Sequence, residues 1–288
     1  MGLISRFDPW RSRLCSCPPK LTFNPYTGCD HGCVYCYASS YIPRFFECRP
    51  KKELISRLRR EVGKLKGEAV SMANSSDPYP EAEAERCLTR RCLEILSKAS
   101  CKLQIITKGT TVTRDIDLLS KTCSMVSITI TTIDEALAKL TEPYSPSPAE
   151  RLRAVETLIS KGISASVRID PIIPFVNDDS QALVKTLAEI GVKHVISSTY
   201  KIRHDNWQRF SAALPKTAER LRPLYFEKGE KLGSYVVLPK ELRLKLMKAV
   251  RDAVTSFGMR FGTCREGLSY LNTATCDGSW LMQTSAKQ

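Results

Sequence analysis

The stretch Leu21-Thr-Phe-Asn-Pro-Tyr-Thr-Gly-Cys29-Asp-His-Gly-Cys33-Val-Tyr-Cys36-Tyr-Ala sets three cysteines in one short segment directly after an apolar run. The apolar run predicts a strand that ends before Pro25, and the C-x3-C-x2-C spacing predicts a compact loop with three thiolates. Thiolates select soft metals, so the loop indicates either zinc or an iron–sulfur cluster. Three ligands suit a four-iron cubane with one iron open. A structural zinc site takes four ligands, and His31 inside the loop keeps that alternative open.

Strand and helix patterns alternate outward from this loop to about residue 200. Strands are predicted at residues 21–24, 68–72, 103–107, 126–131, 163–170 and 194–198, and helices at residues 50–66, 81–98, 115–121, 148–161, 180–190 and 239–256. Six alternations predict an α/β fold, a partial (β/α)6 parallel barrel, because parallel neighbours need helical crossovers. We expect residues 1–20 to form an N-terminal extension, residues 21–200 the core, and residues 201–288 a C-terminal cap over the barrel mouth. The active site of such a barrel lies at the C-terminal strand ends.

Two of these elements carry additional signals. Ser147 is followed by Pro148 and Glu150, which is typical of a helix start with a capping box. The helix that follows has an apolar stripe made of Leu152, Val155, Leu158 and Ile159. In Ile163-Ser-Ala-Ser-Val-Arg-Ile-Asp170 polar and apolar residues alternate strictly, so one face of this strand is polar. A polar strand face inside a barrel indicates a ligand-lining surface.

Composition narrows the function classes. The chain has 288 residues, a net charge of +14 and twelve cysteines. No apolar run approaches the roughly 18–20 residues needed to cross a bilayer, and the first residues lack a secretory signal, so we expect a cytoplasmic protein without a membrane partner. In that compartment the cysteines indicate metal ligation or thiol chemistry. The positive charge favours a nucleic-acid partner, with a generally solvated basic surface as the alternative.

The cysteine loop, placed after the first strand of a repeating βα unit, resembles that of the radical S-adenosylmethionine (SAM) superfamily. The wider segment from Asn24 to Ala38 is similar to the spore photoproduct lyase-like group, which is related to DNA-repair photolyases. Supporting stretches are Ser76-Asp77-Pro78-Tyr79, Thr107-Lys108-Gly109, Arg114-Asp-Ile-Asp-Leu-Leu and Pro171-Ile-Ile-Pro-Phe-Val-Asn-Asp178. Together these segments cover about residues 20 to 200.

The resemblance implies a mechanism and a site. Cys29, Cys33 and Cys36 would hold a [4Fe–4S] cluster whose open iron binds SAM, and an electron donor such as a flavodoxin or ferredoxin would drive cleavage to a 5′-deoxyadenosyl radical. The residues that the resemblance places at SAM are Tyr35 at the adenine, Ser76 and Asp77 at the amino group, Lys108 at the carboxylate, and Arg168 at SAM or a substrate anion. For each a structural role stays open: loop packing for Tyr35, an Asp-Pro turn for Ser76 and Asp77, a solvated lysine for Lys108, and an ion pair with Asp170 for Arg168.

One departure from the lyase bears on its reaction. Spore photoproduct lyase carries a cysteine hydrogen donor shortly before the Ser-Asp segment, where this chain has Asn74. Asparagine cannot donate that hydrogen atom, so the resemblance does not carry over the repair of spore photoproduct. Tyr37 matches a tyrosine of the same relay, and Cys264 and Cys276 are the other candidate donors.

Four cysteines outside the loop form a second group in the sequence. Cys15 and Cys17 precede the first predicted strand, while Cys264 and Cys276 lie near the other end in polar, Gly-rich segments. We hypothesise that these four bind a second metal centre, either an iron–sulfur cluster or zinc. The alternative is a set of ordinary reduced cysteines.

These observations favour a radical SAM enzyme that acts on a nucleic acid, by reversing a DNA lesion or by modifying an RNA. Residues 200–210 interleave basic and aromatic side chains, which suits base stacking, although a helix that buries Trp207 and Phe210 explains them equally well. Two other functions stay open: radical modification of a peptide or small metabolite, and a non-catalytic zinc or iron–sulfur protein that binds nucleic acid.

Overall fold

A computed structural model of the chain describes residues 2–7 and 12–284. The strands are β1 Ser5–Arg6, β2 Leu21–Phe23, β3 Tyr26–Thr27, β4 Arg49–Pro50, β5 Ala69–Met72, β6 Lys102–Thr107, β7 Ser124–Thr129, β8 Ser164–Ile172, β9 His194–Thr199, β10 Glu230–Leu232, β11 Tyr235–Val237 and β12 Arg260–Thr263. The helices are α1 Leu54–Val62, α2 Glu83–Arg86, α3 Leu88–Leu96, α4 Ile116–Leu119, α5 Glu135–Thr141, α6 Pro148–Ser160, α7 Gln181–Glu189, α8 His204–Ala213, α9 Pro215–Phe226, α10 Lys240–Ser256 and α11 Leu281–Thr284.

The main sheet of the described residues has eight strands in the order β1-β2-β5-β6-β7-β8-β9-β12. All neighbours from β2 to β12 are parallel, and only β1 runs antiparallel, against β2. The predicted α/β fold with a parallel sheet is therefore confirmed, and the six predicted strands are all present. The region after residue 200 was expected to form only a cap, but β12 extends the sheet as a seventh parallel strand, which α10 connects to the preceding part of the chain.

The start of α6 follows the predicted signal. Ser147 Oγ accepts from the Glu150 N–H, and the Glu150 carboxylate accepts from the Ser147 N–H, which is the capping box. The buried face of this helix differs from the predicted stripe, because it includes Arg151 while Leu152 is half-buried. Apolar periodicity alone cannot predict the burial of Arg151, because a charged side chain is buried only when another part of the fold supplies a partner.

Two predicted helices are shorter or divided. The helix predicted over residues 81–98 is broken into α2 and α3 at Cys87, whose backbone φ is 47°. This left-handed conformation ends one hydrogen-bonded run before the next begins. The helix predicted over residues 115–121 is reduced to α4, because residues 110–115 form a 3₁₀ helix.

The segment around Cys276 to α11 fills the interior of the half-barrel from the end opposite the mouth. The Gln104 side chain donates to the Asp277 carbonyl at 2.8 Å, and Ser164 Oγ donates to the Leu281 carbonyl at 3.4 Å. Leu281 and Met282 pack with Met125 near the start of β7. The prediction of a tail over the mouth is thus wrong for this segment, whose side chains contact the N-terminal half of the sheet instead.

Other parts of the C-terminal region do lie at the mouth. The Asn206 side chain on α8 donates to the Tyr35 carbonyl at 3.0 Å, and Arg209 donates to the Cys36 carbonyl at 2.9 Å. The region after residue 200 therefore contacts both ends of the barrel. Among the described helices, none combines the length and apolar composition that crossing a bilayer requires.

Candidate active site

A cavity of about 490 Å³ opens at the C-terminal ends of the parallel strands. Its lining brings together most of the residues that the sequence proposed, from segments far apart in the chain. They are Cys17, Cys29, Cys33, Tyr35, Cys36, Tyr37, Asn74, Ser76, Asp77, Lys108, Arg168, Cys264 and Cys276. Of the candidate residues only Cys15 does not line this cavity, and it lies beside Cys17. The geometry thus supports a single site in the place expected for such a barrel.

The cysteine loop is fixed at its base by backbone contacts. β3 and β4 pair antiparallel on either side of it, and the Cys29 N–H donates to the Phe45 carbonyl at 2.7 Å. Gly28 has a φ of 83°, and a Cβ at this position would lie 2.4 Å from the Phe45 carbonyl oxygen. Only glycine accepts both conditions, so Gly28 allows the loop to fold closely on itself.

The three loop thiols lie in a poorly solvated environment. Burial raises the pKa of the Cys33 thiol to about 11, although Lys108 opposes the shift. Burial also raises the pKa of Cys29, to which Asp77 and Cys33 add, and that of Cys36. A thiol becomes a metal ligand only as the thiolate, so loading this site releases protons.

A buried ionic network lies behind the loop. Lys108 Nζ is 5.5 Å from the centre of the Tyr35 ring, and the Tyr35 hydroxyl donates to the Glu142 carboxylate. Glu142 also pairs with Arg151 at 2.6 Å and accepts from Thr131 at 2.8 Å. Glu142 and Arg151 were missed by the sequence analysis, because neither belongs to a motif.

The network sets the charges of its members. Burial would raise the pKa of Glu142, but Lys108 and Arg151 lower it below the ordinary value, so the group is a carboxylate at neutral pH. Burial would lower the pKa of Lys108, but Cys33 and Glu142 raise it, so the side chain is cationic. The cavity therefore presents the Lys108 ammonium group beside the cysteine loop.

Asp77 organises the strand ends rather than pointing freely into the cavity. Its carboxylate accepts from the Thr107 hydroxyl at 2.6 Å, from the Lys108 N–H at 2.8 Å and from the Tyr79 N–H at 2.9 Å. His31 Nδ1 lies 3.5 Å from the same group. His31 is thus directed at Asp77, and Asp77 fixes the backbone that carries Lys108.

Arg168 has the ion pair that the sequence left open as its structural role. Its guanidinium lies 2.6 Å from the Asp170 carboxylate, which also accepts from Ser198 at 2.5 Å. Tyr37 lies on the same side of the cavity, with the Arg265 guanidinium 5.2 Å from its ring centre. Arg168 and Asp170, at the C-terminal end of the polar face of β8, therefore line the cavity.

Asn74 is held by several hydrogen bonds. Its amide donates to the Thr22 hydroxyl at 2.8 Å and accepts from the Ser71 hydroxyl at 3.1 Å, while its N–H donates to the Asn24 side chain at 3.1 Å. These contacts tie the end of β5 to β2. Asn74 consequently has a structural role at a position where it also faces the cavity.

Three exposed aromatic rings stand beside arginines on the mouth side of the molecule. Tyr41, Phe46 and Phe175 are 37%, 42% and 45% exposed. The guanidinium of Arg203 lies 5.5 Å from the ring centre of Tyr41, that of Arg209 5.0 Å from Phe46, and that of Arg220 3.8 Å from Phe175. We call these three pairs the mouth pairs.

The interleaved segment of residues 200–210 resolves into two sets of side chains. Phe210 is buried, and Trp207 stacks on it with ring centres 6.0 Å apart. These aromatic rings are therefore not available to stack bases, which corrects the binding interpretation for them. The arginines of the same segment, Arg203 and Arg209, belong to the mouth pairs.

The second group of cysteines also meets in the folded chain. Cys17 Sγ and Cys276 Sγ are 3.6 Å apart, and the Cys17 N–H contacts Cys15 Sγ at 3.5 Å. Cys264 lies within range of electrostatic interaction with Cys15 and Cys276. Within the described part of the chain, no three His, Cys, Asp or Glu side chains are grouped closely enough to hold a single metal ion.

Comparison with known proteins decides the family. The family model of the Radical SAM superfamily matches residues 23–187, more than half of the chain. The chain belongs to the radical SAM superfamily. It is a radical SAM enzyme, and as a member of the superfamily it uses a [4Fe–4S] cluster and SAM. The alternative of a non-catalytic binding protein is therefore wrong.

Relatives of this radical SAM enzyme include proteins without an assigned function. An uncharacterised protein of Mycobacterium tuberculosis is 25% identical over 263 residues, covering 83% of this chain and 75% of the relative. One of Methanocaldococcus jannaschii is 34% identical over 168 residues, covering 54% of this chain and 61% of the relative. A mutant spore photoproduct lyase with bound AdoMet and dinucleoside spore photoproduct is similar in fold, with a TM-score of 0.63 at 17% identity, covering 85% of this chain and 75% of the lyase.

The cysteine loop of this radical SAM enzyme fits the cluster. It offers three thiols that line the cavity, while His31 is directed at Asp77 instead of joining them. A cubane is larger than one ion and takes its ligands at separate iron corners, so a loop without a single-ion site is compatible with it. Membership of the radical SAM superfamily therefore decides for the cluster over the zinc alternative at this loop.

Proposed function

We propose that this radical SAM enzyme acts on a nucleic acid, by reversing a DNA lesion or by modifying an RNA. The observation that carries the proposal is the set of mouth pairs, in which exposed rings and arginines stand on the mouth side of the cavity. Exposed aromatic rings stack on bases, and guanidinium groups pair with phosphates. The net charge of +14 supports the same class of substrate.

The cofactor site lies at the cysteine loop and the neighbouring strand ends. Cys29, Cys33 and Cys36 would hold the cluster, which with bound SAM would supply the radical chemistry of the site. Lys108, the cation beside the loop, pairs with the SAM carboxylate. The side chains around these groups exclude water, which strengthens such a charge pair.

Other candidate residues take supporting roles in this proposal. Ser76 lies beside the cavity, where it can meet the SAM amino group, while Asp77 acts as a positioning residue for Lys108 through its hydrogen bonds. Tyr35 packs beside Lys108 on the side of the cysteine loop and is assigned to the adenine end of SAM. Arg168, neutralised by Asp170, is assigned to orient the cofactor or the substrate.

A solved relative supports a nucleic-acid substrate by analogy. The spore photoproduct lyase of similar fold was determined with a dinucleoside lesion bound. In this chain Asn74 stands where the lyase-like pattern has a hydrogen donor, and its amide is hydrogen-bonded to Thr22 and Ser71. We therefore propose a different lesion or an RNA nucleotide as the substrate, and not spore photoproduct by the relative's route.

The test measures binding of labelled single-stranded DNA, duplex DNA and RNA against salt concentration. We expect affinity to fall steeply with salt, and the double variant Arg203→Ala, Arg220→Ala to bind more weakly with a log–log slope smaller by about 2. The control is Arg59→Ala, Arg91→Ala, which removes the same charge from the outer helices α1 and α3. Equal behaviour of both double variants would remove the mouth pairs from the proposal. Absence of binding at low salt would favour a peptide or small-metabolite substrate instead.

A further inference from the structure

We infer that Cys15, Cys17, Cys264 and Cys276 hold a second iron–sulfur cluster. The inference is independent of the substrate and concerns a site apart from the cysteine loop. We call these four residues the distal thiols. Four cysteines are the ligand set of a [4Fe–4S] cluster without an open iron, in contrast to the three of the loop.

The distal thiols come from three separate segments that the fold brings together. Cys15 and Cys17 lie between β1 and β2, Cys264 follows β12 directly, and Cys276 lies in the segment that enters the barrel. The Cys264 N–H donates to the Ser197 carbonyl at 2.8 Å, which fixes it at the end of β9. Thiols from three segments meeting in one place are not explained by ordinary core packing, in which cysteines fill apolar gaps singly.

Close backbone packing positions these segments. A Cβ on Gly262 would lie 2.6 Å from the Cys276 carbonyl oxygen and 2.8 Å from its Cα, so only glycine lets the Cys276 segment approach β12. Gly267 has a φ of 69°, and its N–H contacts the Leu14 carbonyl at 3.3 Å. The two segments are thereby held against the strand that carries Cys264.

Positive side chains surround the distal thiols. Lys20 interacts electrostatically with Cys17 and Cys276 and forms an ion pair with Asp277 at 2.6 Å. Arg168 interacts with Cys264 from the cavity side. A cluster with four thiolate ligands carries net negative charge, and buried cations beside it offset that charge.

Four thiolates are also the ligand set of a structural zinc ion, so metal quantitation distinguishes the two kinds of centre. Cys17 and Cys276 share a thiol hydrogen bond with 3.6 Å between the two sulfur atoms. Metal binding deprotonates both thiols, so it would break this hydrogen bond.

The experiment is iron, sulfide and zinc quantitation on anaerobically reconstituted full-length protein, with electron paramagnetic resonance of the reduced sample. Two [4Fe–4S] clusters correspond to about eight irons per chain, and we expect about four in Cys264→Ala, Cys276→Ala and about four in Cys29→Ala, Cys33→Ala, Cys36→Ala. SAM should alter the spectrum of the first variant and leave that of the second unchanged, because only the loop cluster has an open iron.

Several results would overturn the inference. They are about four irons in the native protein, no iron in the triple loop variant, or a stoichiometric amount of zinc in place of the second set of irons. A Cys17–Cys276 disulfide in the reconstituted protein would also do so. Cys101→Ala is the matched control, since this buried thiol donates to the Leu96 carbonyl away from both sites. If the double distal variant does not fold, the iron content of the triple loop variant still decides the question.

Discussion

The cysteine loop and three of the distal thiols, Cys17, Cys264 and Cys276, line one cavity but come to it from different kinds of chain segment. The loop delivers Cys29, Cys33 and Cys36 from one local segment closed by β3 and β4. The distal thiols depend on the pairing of β12 with β9 and on the segment that enters the barrel. The difference teaches that a local motif is robust to distant changes, whereas a site assembled from three segments depends on tertiary contacts that can be broken one at a time.

The largest expected effect comes from breaking the loop. Replacing Cys29, Cys33 or Cys36 singly by alanine should reduce SAM cleavage to background, because each thiolate holds one iron corner. The measurement is 5′-deoxyadenosine formed after reduction in the presence of SAM. Cys101→Ala should retain the activity, and full cleavage by any loop variant would contradict the assignment.

A second prediction concerns whether a distal thiol donates hydrogen. Incubation with SAM, reductant and spore photoproduct should give 5′-deoxyadenosine with little or no restored thymine, because Asn74 cannot act as the donor and ligands of a cluster are not free thiols. Product analysis by chromatography measures both. Efficient repair would show that our interpretation of Asn74 is wrong, and Cys264→Ala and Cys276→Ala would then identify the donor.

A third prediction breaks the contact that ties the distal segments together. Lys20 and Asp277 form an ion pair whose side chains are 4% and 5% exposed. Removing one partner of a buried pair typically costs about 3–5 kcal/mol, so Lys20→Met should lower the free energy of unfolding by that order. Urea unfolding measures it, with Lys185→Met at an exposed pair as control. A change as small as in the control would mean that the pair does not stabilise this region.

The smallest effect is expected at the cation beside the loop. A hydrogen bond to a charged group contributes about 1.5–3 kcal/mol, so Lys108→Ala should weaken SAM binding by roughly 10- to 100-fold. Equilibrium binding of SAM to the cluster-loaded protein is the measurement, and the exposed Lys121→Ala is the control. Unchanged affinity would assign Lys108 to the Glu142 network alone.

The sequence predicted what local patterns determine. The spacing of the loop cysteines, the Ser147 capping box and the alternation of β8 each lie within a few residues, and the structure has the cap and the polar strand face where they were expected. The six-strand alternation followed from the same local periodicity. These features can be predicted without knowing which segments of the chain contact each other in the folded structure.

The parts that were missed depend on tertiary partners. Arg151 lies outside the apolar stripe predicted for α6, and its pairing with Glu142 explains its burial. β12 is short, and its place in the sheet depends on β9. The path of the Cys276 segment into the barrel depends on contacts with β6, β8 and β12, which no single segment encodes.

The Cys17–Cys276 contact has a consequence for how the molecule forms. Its partners are separated by 259 positions, and those of the Lys20–Asp277 pair by 257. Closing so long a loop lowers the conformational entropy of the chain before the contact can stabilise it. Such contacts therefore form late in folding. The βα units and the cysteine loop rely on nearer neighbours and assemble first. The region around Cys17 and Cys276 therefore belongs to the final stage of folding, and amide exchange during refolding should show it protected after the strands of the sheet.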